Sequence, residues 1–370
     1  MSPEQDLLRA IARHELGLAD AAPPRLIDEP LDDPGWNDLL AACHAHRLVG
    51  HLAAIAASGG LPTTSAQQQQ VTAWDLRAIE HGHRLDVALL EAIGHLAAYD
   101  VDHRVLKGHA LARYAHPDPA RRHRHDNDLL APRAQFDDAV RALTEVGYRR
   151  RVPPPRPDYD ARFAKSVTFV GPDGYELDLH RTLIDGPYGF MLDLDALWAS
   201  PDAVEVLGER LRVLPPPLLV LHGCTTVALS DATPRWSARR DLAQLVLADA
   251  VDVATFEDIA RHHRVGGVAV TALARIASDL SLSPSHPLIA WAQACEVPPG
   301  DRRRLQVYGA RRSFTQQSIE SLRVMRGVGE RMAFVRAALL PDRAFLDAYG
   351  VGRVGWLRRG RSSLGQVARD

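Results

Sequence analysis

Asp126 and Asp128 stand one residue apart in the run His123-Arg124-His125-Asp126-Asn127-Asp128, which continues into the apolar pair Leu129-Leu130. On an extended strand, residues two apart share a face and lie roughly 7 Å apart along the chain. Two carboxylates held there repel each other unless a cation sits between them. Mg²⁺ suits the position, because it takes oxygen ligands and is commonly held by one or two carboxylates together with substrate phosphates. The competing reading of the triplet is a polar turn, for which Asp-Asn-Asp is good chemistry. Further along, Glu176, Asp178 and His180 alternate with Leu177 and Leu179. As a strand, this segment puts the three polar groups on one face and the leucines on the other. Such a face can simply meet water. Beside the first acidic pair, a third carboxylate from it would complete a two-metal cage.

Lys107-Gly108 is the third feature. It follows a short apolar segment and precedes a short helical one. Glycine lets backbone approach a ligand closely, a helix N-terminus favours phosphate, and a lysine pairs with phosphate as a point charge. Lys107 and Lys165 are the two lysines among 44 basic residues. A GC-rich genome accounts for that ratio. Both lysines nevertheless fall within the segment that carries the acidic residues.

The elements that must position these groups follow from periodicity. Residues 1–97 read as a helical region, with a stripe of Trp36, Leu39, Leu40, Cys43, Leu48 and Leu52, a turn at Gly59-Gly60 and Pro62, and a long helix after it. Residues 98–200 read as a small α+β unit. Its expected parts are a strand from Val101 to Leu106, a helix from Ala110 to Tyr114, a strand from Asp126 to Leu130, and a helix ending at Gly147. A hairpin then pairs Ser166 to Val170 with Tyr175 to His180 around Pro172-Asp173-Gly174. Residues 201–350 are helical again, with apolar stripes over Leu218 to Ala228, Leu242 to Leu247, Phe256 to His263 and Val268 to Leu280. A long final helix is expected from Ile319 to Leu339, weakened by Gly327 and Gly329 and ended by Pro341. Residues 351–370 form a basic tail carrying Arg353, Arg358, Arg359, Arg361 and Arg369. The fold class is α+β, a small mixed sheet set between helical regions.

The order strand, glycine, helix, Asp-x-Asp strand and later acidic strand resembles the DNA-polymerase-β-type nucleotidyltransferase superfamily. The closer likeness is to its bacterial branch of uncharacterised nucleotidyltransferases. VLKGHALARYAHPDPARRHRHDNDLL and YELDLH match that branch's pattern at Lys107, Gly108, Arg122, Asp126, Asp128, Leu129, Leu130, Leu179 and His180. WNDLLAACHAHRLVGHL, PPPLLVLHGC, RRDLAQLV and LLPDRAFLDAYG resemble its flanking segments, so the likeness runs from about Trp36 to Gly350. The chain departs at the glycine turn, here Gly108-His109, at Asn127 and at Arg181. The resemblance implies transfer of an NMP from an NTP (ATP, CTP, GTP or UTP) to an acceptor, with pyrophosphate release. The acceptor would be a small molecule, a peptide or a saccharide. It implies Mg²⁺ or Mn²⁺ on Asp126, Asp128 and a third carboxylate. Glu176 and Asp178 both qualify, and Asp178 is favoured because it directly precedes the Leu-His pair. Lys107, Gly108, His109 and Arg122 would then serve the nucleotide phosphates. A non-catalytic nucleotide-binding scaffold on the same fold is the reading from another class.

Composition bounds the rest. The chain is 46% hydrophobic and 24% charged, with a formal net charge of −2. That argues against disorder and against a dedicated nucleic-acid binder. No apolar run approaches the ~20 residues of a membrane helix, and the N-terminus lacks a signal-peptide core. Cys43, Cys224 and Cys295 follow no metal or redox spacing, so a reducing cytoplasmic setting is expected. His123, His125 and the aspartates invite a zinc-hydrolase reading, but without the spacing such hydrolases use. Arg302-Arg303-Arg304 and Arg311-Arg312 read as a solvated helix face.

Overall fold

The computed structural model describes residues 3–18, 26–230, 235–308 and 314–356. Arg311, Arg312 and the tail arginines 358, 359, 361 and 369 lie outside them. The N-terminal helices are α1 (Pro3–Arg13), α2 (Asp33–Ala45), α3 (Val49–Ala57) and α4 (Ser65–Ala97). Side chains start two of them. Asp32 accepts from the Gly35 N–H, and Thr64 and Gln67 form a reciprocal cap that opens the 33-residue α4.

The central unit runs β1 (Arg104–Val105), α5 (Lys107–Tyr114), β2 (Asn127–Leu130), α6 (Phe136–Glu145), β3 (Arg149–Arg150), α7 (Tyr159–Arg162), β4 (Ser166–Val170), β5 (Glu176–His180) and α8 (Gly186–Met191). A separate hairpin follows, β6 (Ala203–Val206) and β7 (Glu209–Arg212). The helical remainder is α9 (Pro216–Ala228), α10 (Trp236–Leu247), α11 (Val253–His262), α12 (Gly266–Leu280), α13 (Pro287–Ala294), α14 (Pro299–Gln306), α15 (Phe314–Val324), α16 (Val328–Leu339) and α17 (Arg343–Ala348).

The fold is α+β, with a mixed five-stranded sheet in the order β1-β2-β5-β4-β3. Only β2 and β5 pair in parallel; the other neighbours are antiparallel. Their register sets Asp128 opposite Asp178 and Leu129 opposite Leu179. Cross-strand partners share a face, so one side of the sheet gathers Asp128, Asp178 and Thr168. The other side presents Leu129, Leu177, Leu179, Val167 and Phe169 to the main core, to which α6 adds Phe136, Ala139, Ala142 and Leu143. That core is continuous from Leu8 to Tyr308 and joins all three regions.

Three expectations need correcting. The strand expected over Val101 to Leu106 shrinks to Arg104–Val105, and α5 begins at Lys107 rather than Ala110. Asp126 precedes β2 instead of belonging to it. The long final helix is two, because Gly327 adopts φ 86°, a left-handed conformation that breaks the helix between α15 and α16.

One glycine positions the site from outside. A Cβ on Gly50 in α3 would lie 2.5 Å from the Arg121 carbonyl oxygen and 2.9 Å from its Cα. The bare backbone therefore lets α3 press directly on the segment that leads into Arg122 and Asp126. From the other side, Arg124 donates from Nη2 to the Gly82 carbonyl of α4 at 2.9 Å.

Candidate functional site

Through Asp128 the acidic face of the sheet reaches a cavity of about 520 Å³, which Asp178 and His180 do not line. Lys107, Gly108, Arg122, Asp126 and Asp128 line it, together with Arg47 of the N-terminal region and His222, Arg235 and Asp241 of the C-terminal one. Asp128 lies at its base, 2% exposed. Its carboxylate accepts from the Lys107 ammonium and sits 2.8 Å from His180 Nε2. Burial alone would raise its pKa, but Lys107 and His180 override that and hold it well below the usual carboxylate range.

Asp178 stands across the parallel pair and accepts from Thr168 Oγ1 at 2.5 Å. Asp128, Asp178 and His180 each bring one donor atom into a group whose members all lie within 4.8 Å of one another. Asp126 lines the same cavity but stands outside that compact group, with the Arg47 guanidinium 3.8 Å away. Burial and the Asp128 charge push the Asp126 pKa up. Glu176 is turned to the surface, where it pairs with Arg151. The two carboxylates suit Mg²⁺ or Mn²⁺, which take oxygen ligands; the His180 Nε2 lies against Asp128 and there is no thiolate in the group. The Lys107 ammonium on Asp128 is itself a cation at that position.

Lys107 is held under strain. Its φ of 42° is left-handed, which costs a non-glycine residue about 1–2 kcal/mol. That turn aims its ammonium back across the sheet, where Nζ also comes within 3.4 Å of His180 Nε2. Lys165 lines the cavity too and makes no ion pair or hydrogen bond through its side chain among the described residues. Burial, and then the Lys107 charge, pull its pKa down.

Arg122 reaches the cavity from a buried scaffold. Its Nη2 donates to Asp241 Oδ2 at 2.7 Å, its Nε lies 3.1 Å from Oδ1, and its Nη1 donates to the His123 carbonyl at 2.9 Å. Five N–H groups less these three leave two for a ligand. His116 Nε2 lies 2.9 Å from the same Asp241. Burial opposes ionisation of Asp241, yet Arg122 and His116 hold its pKa well below the usual range.

His109 does not face the cavity. Its ring is fully buried and pairs with Asp86 through Nδ1 at 2.9 Å, so what the Gly108-His109 turn can offer a phosphate is backbone. His123 pairs with Asp75, and neither it nor His125 joins a convergent metal-binding group among the described residues. Arg239, Arg240 and Asp241 divide three ways. Arg239 pairs with Asp279 and lies over Trp236, Arg240 donates to the Ala12 and His14 carbonyls, and Asp241 alone lines the cavity. Arg47, His222 and Arg235 escaped sequence reasoning. Each lies far from the acidic motif in the chain, and its residue type is common in the sequence.

No helix of the described residues is long and apolar enough to cross a membrane. No curated protein and no solved structure matches the chain. A family model described as "Uncharacterised nucleotidyltransferase" matches residues 32–280, which takes in both acidic strands, Lys107 and the Asp241 helix. The chain belongs to this family of uncharacterised nucleotidyltransferases.

Proposed function

We propose that the protein transfers an NMP unit from an NTP to the hydroxyl of an acceptor, releasing pyrophosphate. The observation that carries this is the register of Asp128, which lines a cavity rich in cations, against Asp178 on the neighbouring strand. We assign Asp128 and Asp178, with Asp126 above them, to a divalent ion, Mg²⁺ or Mn²⁺. When bound, such an ion neutralises charge on the reacting phosphate and lowers the pKa of an attacking hydroxyl.

The chain's own groups do the rest. Lys165, Arg235 and the two remaining N–H groups of Arg122 would meet the triphosphate oxygens, and Lys107, with its ammonium beside Asp128, would be within reach of phosphate as a further cation. The α-phosphorus gains a bond to the acceptor oxygen and loses its bond to the oxygen bridging the β-phosphate. The acceptor proton passes to a carboxylate of the cluster, for which we assign Asp178. His180 donates from Nε2 to Asp128 and keeps that carboxylate in register, as imidazoles commonly do behind metal ligands. The test is a screen of each NTP with Mg²⁺ or Mn²⁺ against hydroxyl acceptors, read as pyrophosphate release with Asp128→Ala as the blank.

One observation favours the scaffold alternative. Lys107 and His180 already satisfy Asp128 without a metal. Under that reading NTPs raise the melting temperature equally with and without Mg²⁺, and no acceptor yields pyrophosphate.

A further inference from the structure

A second cavity, of about 370 Å³, adjoins the first. Arg47, Trp74, Arg77, His81, Arg124 and His125 are among its walls, and Arg47 lines both cavities. His125 directly precedes Asp126, so consecutive residues serve the two spaces. Part of this wall is structural. Arg124 is engaged by Gly82 and Asp86, and His123 by Asp75. The rest is uncommitted. Arg77 has no ion pair or hydrogen bond through its side chain among the described residues, and the side chains of His44, His81 and His125 have no hydrogen bond there.

These rings form an aromatic lining. His44 lies edge-on to Trp74 at 5.3 Å and to His125 at 6.2 Å, and His81 contacts His125 at 6.2 Å and Tyr175 at 5.6 Å. Their nitrogens form no convergent metal-binding set. What the cavity offers is therefore aromatic faces and edges set at steep angles to one another, and two guanidiniums outside the scaffold, Arg47 and Arg77. A flat ring gains stacking and area burial there, and an anionic group gains charge-assisted hydrogen bonds. The volume suits a single small molecule.

We propose that this second cavity is the acceptor subsite, and that the acceptor is a small molecule with a planar ring and an anionic phosphate or carboxylate group. The assignment as acceptor rests on the nucleotidyl-transfer reading; the ligand chemistry of the cavity does not. Arg47 lies at the junction, with its guanidinium near Asp126, and ties the bound anion to the acidic cluster.

The test is calorimetric titration of the full chain with phenyl phosphate, benzoate, inorganic phosphate and phenol, with Mg²⁺–ATP binding measured on the same samples. Phenyl phosphate or benzoate should bind at least about tenfold more tightly than inorganic phosphate or phenol. Arg77→Gln and Trp74→Ala should each weaken that binding about tenfold while leaving Mg²⁺–ATP binding unchanged. Lys165→Ala should leave ring-anion binding intact. Preference for phenyl phosphate or for benzoate distinguishes the two anions. If wild type binds the ring anions through Arg77 and Trp74 but binds no NTP, the cavity's ligand chemistry stands and the nucleotidyl-transfer reading fails. The proposal is overturned if neither ring anion binds at roughly 10 mM, or if Lys165→Ala rather than Arg77→Gln abolishes binding. It is equally overturned if inorganic phosphate binds as well as phenyl phosphate. A single-stranded oligonucleotide that displaces phenyl phosphate and binds more tightly would overturn the small-molecule reading.

Discussion

Asp241→Asn isolates the support beneath Arg122. The side chains of Arg122 and Asp241 are 9% and 5% exposed, so solvent screens their interaction little. Removing one partner of a buried ion pair costs about 3–5 kcal/mol, because the other charge is left uncompensated. Asparagine keeps one oxygen for the Arg122 fork, which puts the expected loss near the lower end, about 3 kcal/mol. At about 2.1 cal/mol/K per residue, a chain of 370 residues has an unfolding entropy near 0.8 kcal/mol/K, so the melting temperature should fall about 4 °C. Acid supplies a second reading. The folded pKa of Asp241 is depressed below 3.8, so its stabilisation is fully present above that value and drains away as pH falls through the folded pKa. The gap between wild type and variant should hold steady from about pH 5 to 7 and narrow progressively below about pH 4, towards the depressed folded pKa. Calorimetry across that range is the assay. The double variant Arg122→Met with Asp241→Leu removes both charges and should be more stable than the sum of the single losses. A variant that melts within a degree of wild type, or losses that simply add, would refute the claim that Asp241 holds Arg122 by charge.

Asp126→Asn and Asp128→Asn should each abolish pyrophosphate release with circular dichroism unchanged; full activity in either removes that residue from the cluster. Lys107→Arg keeps the charge but not the compact ammonium, so nucleotide turnover should fall; a silent Lys107→Arg, measured as kcat/KM for the NTP, returns the two lysines to mere codon usage. His180→Phe should weaken metal dependence 10- to 100-fold, read as the Mg²⁺ concentration for half-maximal activity, and an unchanged value would mean that Asp128 needs no imidazole behind it. Gly50→Ala should cost about 1–3 kcal/mol by forcing α3 away from the Arg121 backbone, and a wild-type melting temperature would show that the contact yields freely.

The acidic strands and their hairpin were legible in the sequence because alternation is local: Leu177 and Leu179 declare one face and Asp178 and His180 the other. The end of α6 just before Gly147, whose φ is 97°, was legible for a similarly local reason. Pairing was not. Nothing in the chain between Leu130 and Glu176 announces that β2 and β5 run parallel with Asp128 against Asp178. The walls were hidden for a related reason. Arg47 and Arg235 are two arginines among many, and a helix periodicity reports which face is buried, not which cavity a polar residue reaches. Gly327 was noticed as a weak point, yet only its left-handed φ turns weakness into a break. His109 shows the converse error. Its position in the glycine turn pointed to phosphate, while the Asp86 carboxylate on a distant helix claimed its ring.

The parallel pairing of β2 with β5 also decides when the site can exist. A hairpin can bring two residues together as soon as both strands are made, but a parallel pair must wait for the whole crossover to settle. Here that crossover contains α6, β3, α7 and β4. Closing so long a loop costs entropy before any contact offsets it, and the offset comes from Phe136, Leu143, Phe169 and Leu179 rather than from the aspartates. Apolar packing on one face of the sheet thus closes the crossover, while Lys107 and His180 on the other face offset the charge of Asp128. Asp128 and Asp178 therefore come together only when β5 docks on β2, in the same step that completes the apolar face of the sheet.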